Sequence, residues 1–202
     1  MNKLFCLIVL FVAYGVCEGQ NLVPNPSFED TIHCPIGINA LNDAVGWFKP
    51  TLGTPDLFNI CNLNIPHNFF GYQVPRTGVA YAGIITLITT YDSVYNSWRE
   101  YAEVKLNSSL QTGTKYFISF YVSLADSVNY ATDDIGAYLS IDTAKSDTSY
   151  LLAVTPQIEN LQGNYLTDKT EWIKIAGSFI AQGNERFLTI GNFKNYHNTD
   201  TL

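Results

Sequence analysis

The side chains of this sequence best suited to chemistry are aromatic rings set beside amide and guanidinium groups. Tyr91, Tyr95, Trp98 and Arg99 crowd one loop-to-strand junction with Asn96 among them, and Gln73 offers a further amide. Tyr121 and Tyr138 sit on the outward sides of two strand-like patterns. Rings of this kind stack on sugar faces, while amide, carboxylate and guanidinium groups hydrogen-bond hydroxyls in fixed geometry. The same rings would equally cover a second sheet or plug loops, and Trp98 also suits a core position. Asp126, Asp133 and Asp134 are carboxylates close enough in sequence to suggest glycoside hydrolysis. They are also the residues expected of a turn. His33, His67 and His197 are scattered through loop text, without a G-x-S-x-G elbow, an H-E-x-x-H helix or a phosphate-cradling glycine loop. These patterns do not argue for an enzyme.

The elements that would carry those rings read as strands. In 115–125, Tyr116, Ile118, Phe120, Val122 and Leu124 alternate with Phe117, Ser119, Tyr121, Ser123 and Ala125, the period-2 signature of a half-buried strand. Ile135, Ala137, Leu139 and Ile141 alternate with Gly136, Tyr138, Ser140 and Asp142. The pattern predicts that these two strands form the central antiparallel pair, joined by a polar link at 126–134 too long for a tight hairpin. Strand patterns also appear at 79–87, 98–106, 171–181 and 186–193, with a shorter one opening at Leu22–Val23 that Pro24 and Pro26 confine to an edge or bulge. Within 98–106, Trp98, Ala102, Val104 and Leu106 share one face, on which Glu100 is out of place, and Arg99, Tyr101, Glu103 and Lys105 share the other. The stretch 31–64 is punctuated by Pro and Gly, with Trp47, Phe48, Leu57 and Phe58 as apolar anchors.

Length and composition bound the answer. The 202 residues suit one domain with a substantial core. Few charges (14%) and many aromatics, with 13 Tyr and 12 Phe, favour an all-β globular domain over disorder or a helical bundle. A formal charge of −7 leaves no basic stripe for nucleic acid and weighs against anionic membrane surfaces.

Residues 1–19 have the form of a signal peptide: Lys3, then an apolar run from Leu4 to Ala13, then Cys17-Glu18-Gly19 as a small-x-small cleavage site. The run is too short to span a bilayer. Cys17 offers a lipoprotein alternative, for which Val16 is a poor preceding residue. The expected mature chain, 20–202, is secreted or displayed at the cell surface. It keeps Cys34 and Cys61, an even pair that in an exported protein reads as a disulfide. Two buried free thiols are the alternative, as is a zinc site completed by His33 and His67, although its spacing matches no standard pattern.

Several phrases together carry a family resemblance: NLVPNPSFED, GWFKPT, GYQVPRTGVAYAGI, the long REYAEVKLNSSLQTGTKYFISFYVSLAD, DDIGAYLS and EWIKIAGSFIAQGNERFLTIGNF. Over 21–193 the chain resembles secreted bacterial galactose-binding-like jelly-roll domains, similar to carbohydrate-binding modules. Such domains are found at the N-terminus of cell-envelope proteins with OmpA-like or sorting domains. The resemblance implies an antiparallel β-sandwich acting as a non-catalytic module for a glycan or cell-surface polysaccharide. The alternative is a structural or adhesive module without a small-molecule ligand. It implies a monomer or a module of a larger chain. It also implies a structural calcium ion, with Asn25 and Glu29 as the matching opening residues and Asp30 adjacent. Members of the family close with an Ile-Asp-Asp-Val-like strand after the GNF segment, whereas here the sequence runs to Asn198-Thr199-Asp200-Thr201-Leu202. The expectation is therefore a sandwich lacking its closing strand, either as a fragment or with an open sheet edge.

Overall fold

The computed structural model describes residues 19–62, 65–88 and 98–202. Its strands are β1 (Trp47–Phe48), β2 (Asp56–Asn59), β3 (His67–Asn68), β4 (Gly71–Tyr72), β5 (Ala80–Gly83), β6 (Ala102–Lys105), β7 (Lys115–Val122), β8 (Gly136–Ser140), β9 (Ile158–Glu159), β10 (Ile173–Ile180) and β11 (Phe187–Gly191). Helix among the described residues is limited to short 3-10 turns at Leu41–Asp43, Ile60–Asn62 and Tyr196–Asn198. The domain is all-β, and every strand pairing in it is antiparallel. No helix among the described residues is long and apolar enough to cross a membrane.

The largest sheet has five strands in the order β1-β6-β11-β8-β9. The two longest strands, β7 and β10, pair with each other over all eight residues, from Ile173 opposite Val122 to Ile180 opposite Lys115. This corrects the expected pairing of the two central strands. β7 and β8 belong to different sheets, because the link between them carries the chain across the molecule. Ala131 exchanges main-chain hydrogen bonds with Leu202, Thr132 bridges Thr201, and Asp133 and Asp134 are buried. Two smaller ribbons, β2–β5 and β3–β4, complete the pairing.

The main core lies where the β7–β10 ribbon faces the five-stranded sheet. Ala102, Val104, Ala137, Leu139 and Leu188 are buried there, and Tyr116, Ile118, Phe120 and Phe179 pack onto them from the ribbon. Alternation on β7 is as the sequence predicts, with Phe117 79% exposed on the outer side. The five-stranded sheet behaves differently. Its second face is also buried, with Arg99, Tyr101 and Glu103 all at 0% exposure. The cover is the irregular stretch 144–154: the Ala144 amide donates to Glu103, the Leu152 amide to the Tyr101 hydroxyl, and the Arg99 amide to the Ser149 carbonyl. Glu100, out of place on its face, is also satisfied, since the Thr54 amide and hydroxyl and the Ile85 amide all donate to it.

Leu22–Val23 does not begin a strand. Asn25 and Phe28 take left-handed backbone angles (φ 44° and 64°), and the segment turns back on itself between the two prolines. The pairing of Cys34 with Cys61 is present, with the Cα atoms 5.9 Å apart. It closes the loop-rich stretch on itself, a constraint of about 3 kcal/mol in the loop-entropy account.

Candidate functional site

Among the described residues, a large groove is lined by β7. Its volume is about 1460 Å³, larger than the ~300–1,000 Å³ of a typical small-molecule pocket, which favours an extended ligand. One wall is β7 itself. Residues 80–87, from β5 onward, also line it, as do Tyr72 of β4 and the adjoining Gln73. Residues 82–88 are all only half-buried, as are Ile118 and Phe120 on the inner face of β7.

The polar end of the groove is tightly organised. Gly71 takes φ 135°, and a Cβ there would lie 2.4 Å from the Cβ of Asp126, so only glycine lets the β3–β4 ribbon lie against that side chain. Asp126 in return accepts the Tyr72 amide at 2.8 Å. The Lys169 ammonium donates to the carbonyls of Asp126 and Val128, holding this loop down. Gln73 accepts the Ser123 hydroxyl at 2.8 Å and donates to the Val74 carbonyl. Trp172 donates its ring N–H to that same carbonyl and meets Tyr81 edge-on.

From the turn at 75–78, Arg76 reaches over the ring of Tyr121, with its guanidinium carbon 3.5 Å from the ring centre. The turn is held by Glu29, which accepts the Val79 amide. Tyr72 (49% exposed), Tyr130 (58%) and Phe117 present open ring surface to the groove. Below them, Asp56 is buried at the groove wall. Burial pushes its carboxyl up to about 6, opposed by the hydrogen bond from the Asn39 amide and reinforced by the charge of Glu100. Burial likewise pushes the Tyr81 hydroxyl up to about 12, although Asn68 donates to it.

The residues singled out from sequence fall in three places. Tyr121 lines the groove, as does its proposed partner Gln73. Tyr138 lies on the other side of the five-stranded sheet, half-buried against Phe193 near Tyr101 and Leu152. Arg99 borders the 194–199 segment. Arg99 is buried and donates to the carbonyls of Trp98 and Lys194 and to the Thr199 hydroxyl, and burial lowers its pKa. Trp98 is half-buried, and its ring N–H has no hydrogen-bond partner among the described residues. Tyr91, Tyr95 and Asn96 lie outside the described residues. Tyr72, Arg76 and Tyr130 were missed from sequence because no strand periodicity marks them.

The three carboxylates considered for hydrolysis do not line one cavity. Asp126 lines the groove, whereas Asp133 and Asp134 line a small pocket beside Lys194. There the Lys194 ammonium pairs with Asp134, which raises the lysine pKa. The opening residues matched to a calcium site are engaged in hydrogen bonds of their own. Asn25 accepts the Asp30 amide and donates to the Asp30 and Val45 carbonyls, so its side chain closes a turn. Glu29 keeps one buried oxygen without a partner, but no cluster of three acidic, His or Cys side chains forms among the described residues. Calcium wants about six oxygens. No protein-family model matches the chain, and no curated protein matches it.

Proposed function

We propose that this protein is a non-catalytic glycan-binding module of the secreted or cell-surface kind, built as a jelly-roll sandwich, with its ligand in the groove beside β7. One observation carries the reading. Exposed rings (Tyr72, Tyr130, Phe117) share the groove with a guanidinium, an amide and a carboxylate (Arg76, Gln73, Asp126). Rings offer stacking surface to sugar faces, and the polar groups are already fixed by hydrogen bonds or stacking, so little side-chain freedom is lost on binding. The disulfide fits an oxidising compartment, in keeping with export. The reading needs neither calcium nor a reacting carboxylate.

A glycan array probed with the purified protein tests this. Specific binding that falls at least about tenfold in Tyr72→Ala and Tyr130→Ala, with unchanged melting temperature, is the expected result. A folded protein that binds no saccharide would overturn it. The second reading, an adhesive module without a small ligand, is favoured by a separate surface. Around the disulfide, Ile32, Ile36, Ile38 and Ile60 are 60%, 87%, 59% and 51% exposed, an apolar patch unusual on a free surface. Loss of cell or matrix adhesion in Ile36→Ser, with glycan binding absent, would select that reading.

A further inference from the structure

We propose, building on the glycan reading, that the outer face of the β7–β10 ribbon takes an acidic polysaccharide whose charges are the carboxylates of uronic acid units. Residues directly opposite each other in an antiparallel ladder point to the same side, so the register fixes which side chains share this face. β7 presents Lys115, Phe117, Ser119 and Tyr121. β10 sets Ile180, Ser178, Ala176 and Lys174 opposite them in that order. All are exposed except Tyr121, which is half-buried with the Arg76 guanidinium over its ring. The charge on this face is of one sign. Neither strand, KYFISFYV or IKIAGSFI, contains an Asp or Glu, in a chain with 18 acidic and 11 basic residues. Lys115, Lys174 and Arg76 supply three cations. Among the described residues the ion pairs are Arg186–Asp142 and Lys194–Asp134, so no carboxylate neutralises any of the three. Asp126, beyond the end of β7, is turned to the Tyr72 amide.

The net charge of −7 does not cancel this face. Screening limits the reach of each exposed charge to about 8 Å at physiological salt, so a ligand lying on the ribbon meets the local cations first. Their spacing indicates a polymer. At about 3.4 Å per residue, Lys115 stands about 20 Å from the Tyr121–Lys174 pair, too far for one small anion to meet both. Two ring platforms, Phe117 and Tyr121, lie along that path, and the small side chains of Ser119, Ala176 and Ser178 leave room between them for a sugar chain to lie close. A uronic acid unit carries its single carboxylate at the ring edge and keeps a C–H face for stacking, which matches cations set beside rings. The Arg76 guanidinium, 3.5 Å from the Tyr121 ring centre, is a planar fork that can hold a carboxylate through two N–H donors. A densely sulfated chain would bring more anions to this face than three cations can match.

Titration of the purified protein with polygalacturonate and alginate, each beside its carboxyl-reduced form, tests the assignment, with dextran sulfate and single-stranded DNA as further polyanions. At least one uronate chain should bind, and reducing its carboxyls to alcohols should weaken binding at least about tenfold. Its affinity should fall as salt rises from about 50 to about 500 mM. The double variant Lys115→Gln, Lys174→Gln should also lose at least about tenfold, with an unchanged melting temperature because both side chains are exposed. Arg76→Lys keeps the charge, removes the fork and should weaken the same complex. Equal binding of a uronate chain and its reduced form, or affinity indifferent to the two lysines, would overturn the proposal. So would dextran sulfate or DNA bound as tightly as the uronate chain, which would make the face a general polyanion surface. Neutral saccharides bound on the array without any uronate binding would overturn this proposal and leave the glycan reading standing. A folded protein that binds no saccharide, neutral or acidic, would overturn both.

Discussion

The five-stranded sheet and the β7–β10 ribbon are made of similar strands and have opposite surroundings. β6 is covered on both faces and paired on both edges, so that Tyr101 and Glu103 are as inaccessible as Val104. β7 is twice as long, keeps an open outer face with Phe117, Ser119 and Tyr121, and lines a groove. The difference teaches where binding can occur in this fold. A strand closed on every side can only hold the structure together, whereas one with an open face can recognise something. It follows that substitutions on β6 should act through stability and substitutions along β7 through binding.

The largest effect that would break this contrast is expected at Tyr101. Its ring stacks near Phe193, and its hydroxyl both donates to the Asn192 carbonyl and accepts the Leu152 amide. Tyr101→Ala should cost about 3–5 kcal/mol in denaturant unfolding, and Tyr101→Phe about 1–3 kcal/mol by stranding the Leu152 donor. Next comes Glu100→Ala, which leaves the Thr54 amide and hydroxyl and the Ile85 amide without their acceptor and should cost about 2–4 kcal/mol. The matched change beside the ribbon, Asp126→Ala, removes one exposed acceptor and should cost less than about 1 kcal/mol. If the alanine substitutions at Tyr101, Glu100 and Asp126 proved equally damaging, the division between a closed sheet and an open ribbon would fail.

A pH experiment probes the boundary between the two regions, where Asp56 sits at the groove wall. Its folded carboxyl, raised to about 6 from an ordinary 3.8, binds a proton more tightly than the unfolded chain does. Its contribution to stability is therefore complete below about pH 4 and is lost as pH rises through about 6. That loss is on the order of 2 kcal/mol. Asp56→Asn keeps an acceptor for the Asn39 amide without the charge. The melting temperature of the parent should fall relative to this variant between about pH 4 and pH 7, and parallel profiles would show that Asp56 is not held protonated by the fold.

Much of the strand content was legible because alternation survives wherever one face stays open. β7 and β10 were found that way, and the disulfide was found from a cysteine count. What was not legible depended on the other face. The Arg99–Glu103 side of β6 reads as polar surface, yet it is covered by 144–154, a stretch whose polar text carries no periodic signal. Strand partners were equally hidden. Nothing local in Ile173–Ile180 says that it pairs with β7, since packing of the whole ribbon on the sheet decides that. At the groove, Tyr121 could be read from the strand pattern. Tyr72, Arg76 and Tyr130 arrive from turns whose positions depend on Gly71 and on the hold of Glu29 over Val79.

The smallest expected effect sharpens the comparison within a single strand. Phe117 and Ile118 are neighbours on β7 that point to opposite sides. Phe117 is 79% exposed, with the Lys115 ammonium 5.4 Å from its ring centre. Phe117→Ser should therefore change stability by no more than about 0.5 kcal/mol. Ile118→Ala removes core contacts, but from a side chain the groove leaves half-open, so its cost should fall near 2 kcal/mol, at the low end for a buried aliphatic residue. Leu139→Ala on β8, 4% exposed in the closed sheet, should cost about 3–4 kcal/mol. The decisive quantity is the gap between Ile118 and Leu139. A gap below about 0.5 kcal/mol would show that the ribbon position is as closed as the sheet position.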